Sequence, residues 1–185
     1  MAETPSQMVD LGTEAPDFTL PDTISGKNLS LTDVKGDKAT LIMFICNHCP
    51  FVKHVNSEII RLAKDYHSKG ISLVAISSND VETHPEDAPE KMKTVANDLG
   101  YPFPYLYDES QNVAKAYEAA CTPDFFLFNK DLELVYRGQL DDSRPGNNFP
   151  LNAKDIRSAF DAVLEGTPVS ADQRPSVGCN IKWKK

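Results

Sequence analysis

Two cysteines spaced for reversible disulfide chemistry stand at Cys46-Asn47-His48-Cys49-Pro50 in this 185-residue chain. Thiols two residues apart can close a disulfide and reopen it, with thiolate as the attacking species. The apolar run Leu41–Cys46 precedes them, and a helical pattern opening at Pro50 follows. They therefore lie where a buried strand gives way to a helix, whose start carries roughly half a positive charge and favours thiolate. Cys46, at the tip of the turn, is expected to be the more exposed and more acidic, attacking thiol. Cys49 is expected to resolve the mixed disulfide. His48, between them, can stabilise the Cys46 thiolate by charge or hydrogen bond and so tune the redox balance.

The same residues allow other readings. C-x-x-C spacing also suits zinc, with His48 and His54 close by, but a structural zinc site needs four convergent ligands. The remaining cysteines, Cys121 and Cys179, are isolated in sequence, so no metal is expected. Both cysteines of the pair could also simply be buried. Cys121, two residues before Pro123, is either a third redox thiol or a small buried hydrophobe. Cys179, Ile181 and Trp183 alternate as on one face of an extended tail. The single Trp is expected to anchor that tail, with Cys179 as a candidate resolving thiol. His67 and His84 read as solvated. The acidic group Asp80, Glu82, Glu86, Asp87 and Glu90 reads as a solvated loop and helix start.

The elements that must position the dithiol follow from periodicity. Ala39–Ile45 and Ile71–Ser78 are continuous apolar runs, as expected of strands buried on both faces. Between them Val52, Val55, Ile59, Leu62, Ala63 and Tyr66 recur at helical spacing, punctuated by Pro50 and Gly70. A helix is expected from Pro89 to Gly100, a strand at Tyr105–Tyr107, and a short helix over Gln111–Ala119. Asp124–Phe128 and Leu132–Arg137, joined by a polar turn, predict an antiparallel hairpin. Ile156, Phe160, Val163 and Leu164 mark a last helix. The order β-α-β-α-β-α-β-β-α predicts an α/β sandwich with a mixed sheet. Gly12–Gly36 is expected to form an N-terminal extension and Val169–Lys185 a tail. Without a Gly/Ser linker or a repeat, residues 1–185 form one expected domain, with a core over about 12–166 and a tail over 167–185.

Composition narrows the function classes. Hydrophobic residues at 41% and charged residues at 25% describe an ordinary globular chain. A net charge of −8 argues against a nucleic-acid partner, which needs clustered Lys and Arg. Met1 to Thr13 is polar and acidic, and the longest apolar run is far shorter than the ~20 residues of a membrane span. A cytoplasmic address without membrane association is therefore expected, and there cysteines are more often catalytic or metal-binding than structural.

Several segments resemble the thioredoxin superfamily, and within it the redoxin branch of AhpC/TSA, peroxiredoxin-like proteins. Gly12-Thr13-Glu14-Ala15-Pro16-Asp17-Phe18 resembles the G-x-x-A-P-x-F redoxin opening. Leu29-Ser30-Leu31 before Lys35-Gly36 resembles the approach to the first core strand. Cys46–Pro50 resembles the thioredoxin active site, and Thr122-Pro123-Asp124-Phe125-Phe126-Leu127-Phe128 the cis-proline strand entrance. The resemblance implies a thioredoxin-like three-layer sandwich with a mixed central sheet. It also implies a cis Pro123, with Thr122 and Pro123 as the docking edge for a substrate peptide facing Cys46. The sequence departs from the peroxiredoxin pattern P-x-x-x-[S/T]-x-x-C. With Cys49 aligned to that Cys, Cys46 falls at the Ser/Thr position and Ile42 at the Pro position, so peroxide reduction is expected to be weak. Thr40–Ile45 offers no buried carboxylate, which leaves the proton acceptor for Cys49 unassigned. The expected activity is thiol–disulfide exchange on a disulfide-containing protein or small thiol, without a cofactor. A thiol peroxidase (antioxidant) and a non-enzymatic redox-sensing or metal-binding module are the alternatives. The oligomeric state is not legible.

Overall fold

In the computed structural model, residues 3–185 are described; Met1 and Ala2, part of the polar opening stretch and of the expected domain, lie outside them. In chain order the elements are β1 (Glu3–Pro5), β2 (Thr19–Pro21), β3 (Asn28–Ser30), α1 (Leu31–Val34), β4 (Ala39–Phe44), α2 (Pro50–Tyr66), β5 (Ile71–Ser77), α3 (Pro89–Leu99), β6 (Tyr105–Tyr107), α4 (Asn112–Ala116), β7 (Cys121–Thr122), β8 (Asp124–Asn129), β9 (Leu134–Gly138), α5 (Lys154–Glu165) and β10 (Val177–Asn180).

The apolar runs build the centre. Every residue of β4 is buried, and β4 lies in the middle of a five-stranded sheet ordered β6-β5-β4-β8-β9. β4, β5 and β6 run parallel, while β8 is antiparallel to β4 and to β9. Side chains alternate between the two faces of a strand, and each face here has its own cover. Leu41, Met43, Phe125 and Leu127 pack beneath α2, α3 and α5, whereas Ile42, Phe44, Phe126 and Phe128 pack against α1, α4 and Tyr117. The result is the thioredoxin-like three-layer sandwich with a mixed sheet.

Helix α2 carries the site. Pro50 opens it without loss of a needed N–H, and Val52, Val55, Ile59, Leu62 and Ala63 form its buried stripe. Glu58, also buried on this helix, is held by Arg61 at 2.8 Å and Arg157 at 2.9 Å. No helix among the described residues is long and apolar enough to cross a membrane.

Two boundaries and the tail differ from expectation. The helix expected over Gln111–Ala119 is only Asn112–Ala116. The strand expected from Leu132 begins at Leu134, because Leu132 takes a positive φ of 61° in the turn. The tail is part of the fold: β10 lies between β1 and β7 in a small antiparallel sheet that joins both ends of the chain to the residues before Pro123. Cys179 and Ile181 are both buried but in different clusters, Cys179 with Cys46 and Cys49 and Ile181 with Phe44 and Phe126, and Trp183 is 41% exposed and does not anchor the tail. Trp183 lies beyond the strand, its ring 5.8 Å from the Lys115 ammonium.

Candidate active site

Cys46 leaves β4 and Cys49 is the N-cap of α2. The side chain of Cys49 caps no N–H, but its carbonyl accepts from Val52 at 3.1 Å and Lys53 at 3.0 Å, which starts the helix. Facing the dithiol is the cis Thr122–Pro123 peptide. The Thr122 hydroxyl lies 3.6 Å from the Cys46 sulfur, and the Cys49 sulfur lies 3.4 Å from the Thr122 carbonyl oxygen. The structure thus brings Cys46, Cys49, Thr122 and Pro123 together.

Neither thiol is exposed. Cys46 is 1% accessible and Cys49 0%, while Asn47 and His48 form the half-exposed tip of the turn. Thr122 on one side and the loop bearing Asp87 on the other close over Cys46. The sulfurs titrate as a pair. Cys46 is raised well above the ordinary thiol range, first by its hydrogen bond to Cys49, then by burial and the Asp87 carboxylate. Cys49 is lowered to about 4 by that same hydrogen bond, aided by Cys179, the Val52 N–H and Thr122. The charge of the reduced pair therefore rests on Cys49, against the expectation of a more acidic Cys46. The helix start favours an anion at Cys49, and Asp87 opposes one at Cys46.

Asp87 is the residue of the candidate site that sequence reasoning misplaced. Its side chain is fully buried, and it accepts from the Asn47 N–H at 2.8 Å, the His48 N–H at 3.3 Å and the Asn79 amide at 2.9 Å. His48 Nδ1 meets it at 2.5 Å. It holds both residues between the cysteines, and Tyr105 adds a hydrogen bond to the Asn47 side chain at 2.9 Å. A usable signal existed, since loops leaving the carboxyl ends of neighbouring parallel strands converge on ligand sites. The loop after β5 must meet the turn after β4. Asp80 is also buried, whereas Glu82, Glu86 and Glu90 are exposed as expected.

His48 thus points its Nδ1 at Asp87, and its ring stacks on His84 at 5.2 Å. His84 is half-buried and hydrogen-bonded to Thr83, not freely solvated, while His67 is exposed. His54 bonds to Ser143 at 2.8 Å, away from the dithiol. Cys46, His48 and Asp87 each offer a donor atom within 4.8 Å of the others, a set not foreseen from sequence. Zinc there would displace the hydrogen bonds through which Asp87 holds the turn.

The two further cysteines differ. Cys121 is fully buried, its thiol donating to the Pro123 carbonyl at 3.6 Å, and burial raises its pKa strongly. Cys179 lies opposite Thr122 in the β10–β7 pairing. Burial, followed by its hydrogen bond to Cys49, raises its pKa to about 12. Because β10 pairs with β7, the backbone edge at Thr122 expected to receive a substrate peptide is filled by the chain's own tail.

Comparison with known proteins finds relatives of the same fold. The crystal structure of an uncharacterized conserved protein from Geobacillus kaustophilus is 63% identical, with a TM-score of 0.98 over 100% of this chain and 97% of that one. A Mycobacterium tuberculosis protein named as a peroxiredoxin is 31% identical over 108 residues, 58% of this chain. The match spans 63% of that relative's length. The thiol-disulfide oxidoreductase ResA of Geobacillus thermodenitrificans is 27% identical over 69% of this chain and 68% of that protein. The model of the AhpC/TSA family matches residues 11–137. With most of its length inside that match and a redox-capable dithiol in a thioredoxin-like sandwich, the chain belongs to the AhpC/TSA family of redoxins.

Proposed function

We propose that the protein is a thiol–disulfide oxidoreductase working through Cys46 and Cys49. The observation that carries this reading is the placement of both sulfurs at the start of α2 against Thr122, whose hydroxyl lies 3.6 Å from Cys46 and whose carbonyl lies 3.4 Å from Cys49, beside the cis Thr122–Pro123 peptide. Cys46, beside the half-exposed tip of the turn, attacks the substrate disulfide and passes its proton to the Cys49 thiolate. One substrate sulfur leaves as thiolate and takes that proton back. Cys49 then attacks the Cys46 sulfur, which forms the Cys46–Cys49 disulfide and releases the second substrate thiolate. Cys49 thus acts as the base for Cys46, and as the thiolate of the reduced pair it needs no buried carboxylate of its own. The substrate is a disulfide-containing protein or small disulfide, and no cofactor enters the scheme.

Ile42 bears on the peroxidase alternative. Its side chain packs on the sheet face away from α2, among Phe44 and Phe126, and so cannot shape a pocket at Cys49. The test mixes reduced protein with oxidised glutathione or with hydrogen peroxide and follows thiol loss by stopped flow, with disulfides mapped afterwards. Fast Cys46–Cys49 formation from glutathione and slow loss with peroxide are expected. Peroxide rates matching dedicated peroxidases would transfer the function to that reading. The cytoplasmic setting expected from the sequence is part of the same proposal, and fractionation with acid-trapped thiols tests it.

A further inference from the structure

Strand β10 presses closely on the peptide before Pro123. A Cβ on Gly178 would lie 2.0 Å from the Thr122 carbonyl oxygen, so only glycine lets the strand come so near. The Ser176 hydroxyl donates to the Pro123 carbonyl at 2.6 Å and pins the strand's approach. The next residue along, Cys179, pairs with Thr122 and is 2% accessible. Its side chain belongs to the same apolar cluster as Cys46 and Cys49, and the Cys49 sulfur lies 3.4 Å from the same Thr122 carbonyl that Gly178 abuts. Cys49 caps α2, and β10 packs against that helix. Free N–H groups at a helix start stabilise an adjacent anion. The start of α2 therefore favours an anion at Cys49, while burial keeps Cys179 protonated until it reacts. Cys121 has no such place: its thiol faces the Pro123 carbonyl.

We propose that Cys179 is a third redox thiol, which takes over Cys49 from Cys46 by internal disulfide exchange. This deepens the dithiol reading and rests on it. After the Cys46–Cys49 disulfide forms, the Cys179 thiolate attacks the Cys49 sulfur. The Cys49–Cys179 bond forms, the Cys46–Cys49 bond breaks, and Cys46 leaves as thiolate to take the proton that Cys179 gave up. The chain stays oxidised by two electrons throughout, so the step needs no further oxidant. Cys46 is regenerated as a thiol, and the tail strand becomes covalently tied to the start of α2. The edge at Thr122 is then occupied by a strand that cannot leave until a thiol donor reduces the bond.

The full-length protein and its Cys46→Ser and Cys46→Ser/Cys179→Ser variants are incubated with oxidised glutathione, quenched with alkylating agent and mapped by peptide mass spectrometry. The wild type is expected to yield both Cys46–Cys49 and Cys49–Cys179. Cys46→Ser is expected to yield Cys49–Cys179 at least tenfold over glutathionylated Cys49, and the double variant glutathionylated Cys49 alone. Absence of the Cys49–Cys179 bond from both the wild type and Cys46→Ser overturns the proposal. If the wild type still forms Cys46–Cys49, only this inference fails. If neither disulfide forms, the dithiol reading fails with it.

Discussion

Asp87 and Asp124 are both closed to solvent and both stand close to the redox site, one at the carboxyl ends of the parallel strands and the other one residue past Pro123. Their surroundings differ in donors. Asp87 receives two backbone N–H groups, the Asn79 amide and the His48 ring. Asp124 has its Oδ2 bonded to the Ala120 N–H at 3.1 Å, while its Oδ1 finds no partner among the described residues. Burial pushes Asp124 up to about 7, and the nearby N–H groups of Ala120, Cys121 and Phe125 only partly offset that. Pairing with Phe44 puts Asp124 on the sheet face of Phe126 and Phe128, turned away from α2 and the dithiol. Equal burial therefore yields two different devices. A carboxylate rich in donors organises a turn, and one poor in donors becomes a site that binds a proton near neutral pH.

The largest effect is expected on the donor-rich side. Asp87→Ala strands buried donors of Asn47, His48 and Asn79 and should lower stability by about 3–5 kcal/mol, with loss of disulfide exchange. Urea unfolding and the glutathione reaction check both. A loss below about 1 kcal/mol would mean that the turn holds its shape without Asp87.

On the donor-poor side the expectation concerns pH. Asp124 is protonated in the folded chain up to about pH 7, whereas an unfolded Asp loses its proton near pH 4. Between these values the folded state binds more protons, so this group's contribution to stability falls as pH rises and levels off above pH 7. From pH 5 to pH 8 the fall amounts to about 3 kcal/mol. Asp124→Asn should remove that slope relative to the wild type, as urea midpoints at the two pH values would reveal. Parallel pH profiles for the two chains would contradict the assignment.

The two carboxylates also frame what was legible beforehand. β4, β5, α2 and the dithiol were readable because each is announced locally: a buried run, a 3.6-residue stripe, Pro50 at a helix start, a C-x-x-C between them. Asp87 was not, because its role depends on the approach of the loop after β5 to the turn after β4, and its acidic neighbours suggest solvent. The strands β1, β7 and β10 have two to four residues each. Their structure comes from partners distant in sequence, as in the pairing of Glu3 with Cys179. No local pattern marks such strands. The alternation of Cys179, Ile181 and Trp183 did not mark one face, because the strand ends at Asn180: Cys179 and Ile181 enter different clusters and Trp183 is exposed.

A smaller expectation concerns the proton shared by the dithiol. Cys46→Ala removes the main hydrogen bond that holds Cys49 near 4, leaving burial to act against the Val52 N–H, Cys179 and Thr122. Thiolate absorbance at 240 nm, followed against pH, should shift upward toward the ordinary thiol value of about 8.5. An unchanged titration would assign the low-pKa sulfur to another cause.

His48 should give the smallest effect, and it probes the comparison from the Asp87 side. The ring does not reach for sulfur as expected; it meets Asp87, and Asp87 disfavours a thiolate at Cys46. The ring's hydrogen bond to Asp87 partly offsets the carboxylate. His48→Ala removes this offset, destabilises the reduced, thiolate-bearing form and so lowers the reduction potential. The ring acts on sulfur only through Asp87, which keeps the change small, at about 10–30 mV, or roughly 0.5–1.4 kcal/mol for a two-electron couple. His48→Asn, which retains a side-chain donor toward Asp87 without the charge, should fall between wild type and alanine. Equilibration with glutathione buffers measures all three chains. In the Asp87→Asn background the His48→Ala shift should vanish, because the imidazole acts only through the carboxylate it pairs with. A shift that persists there would put His48 in direct contact with the thiolate.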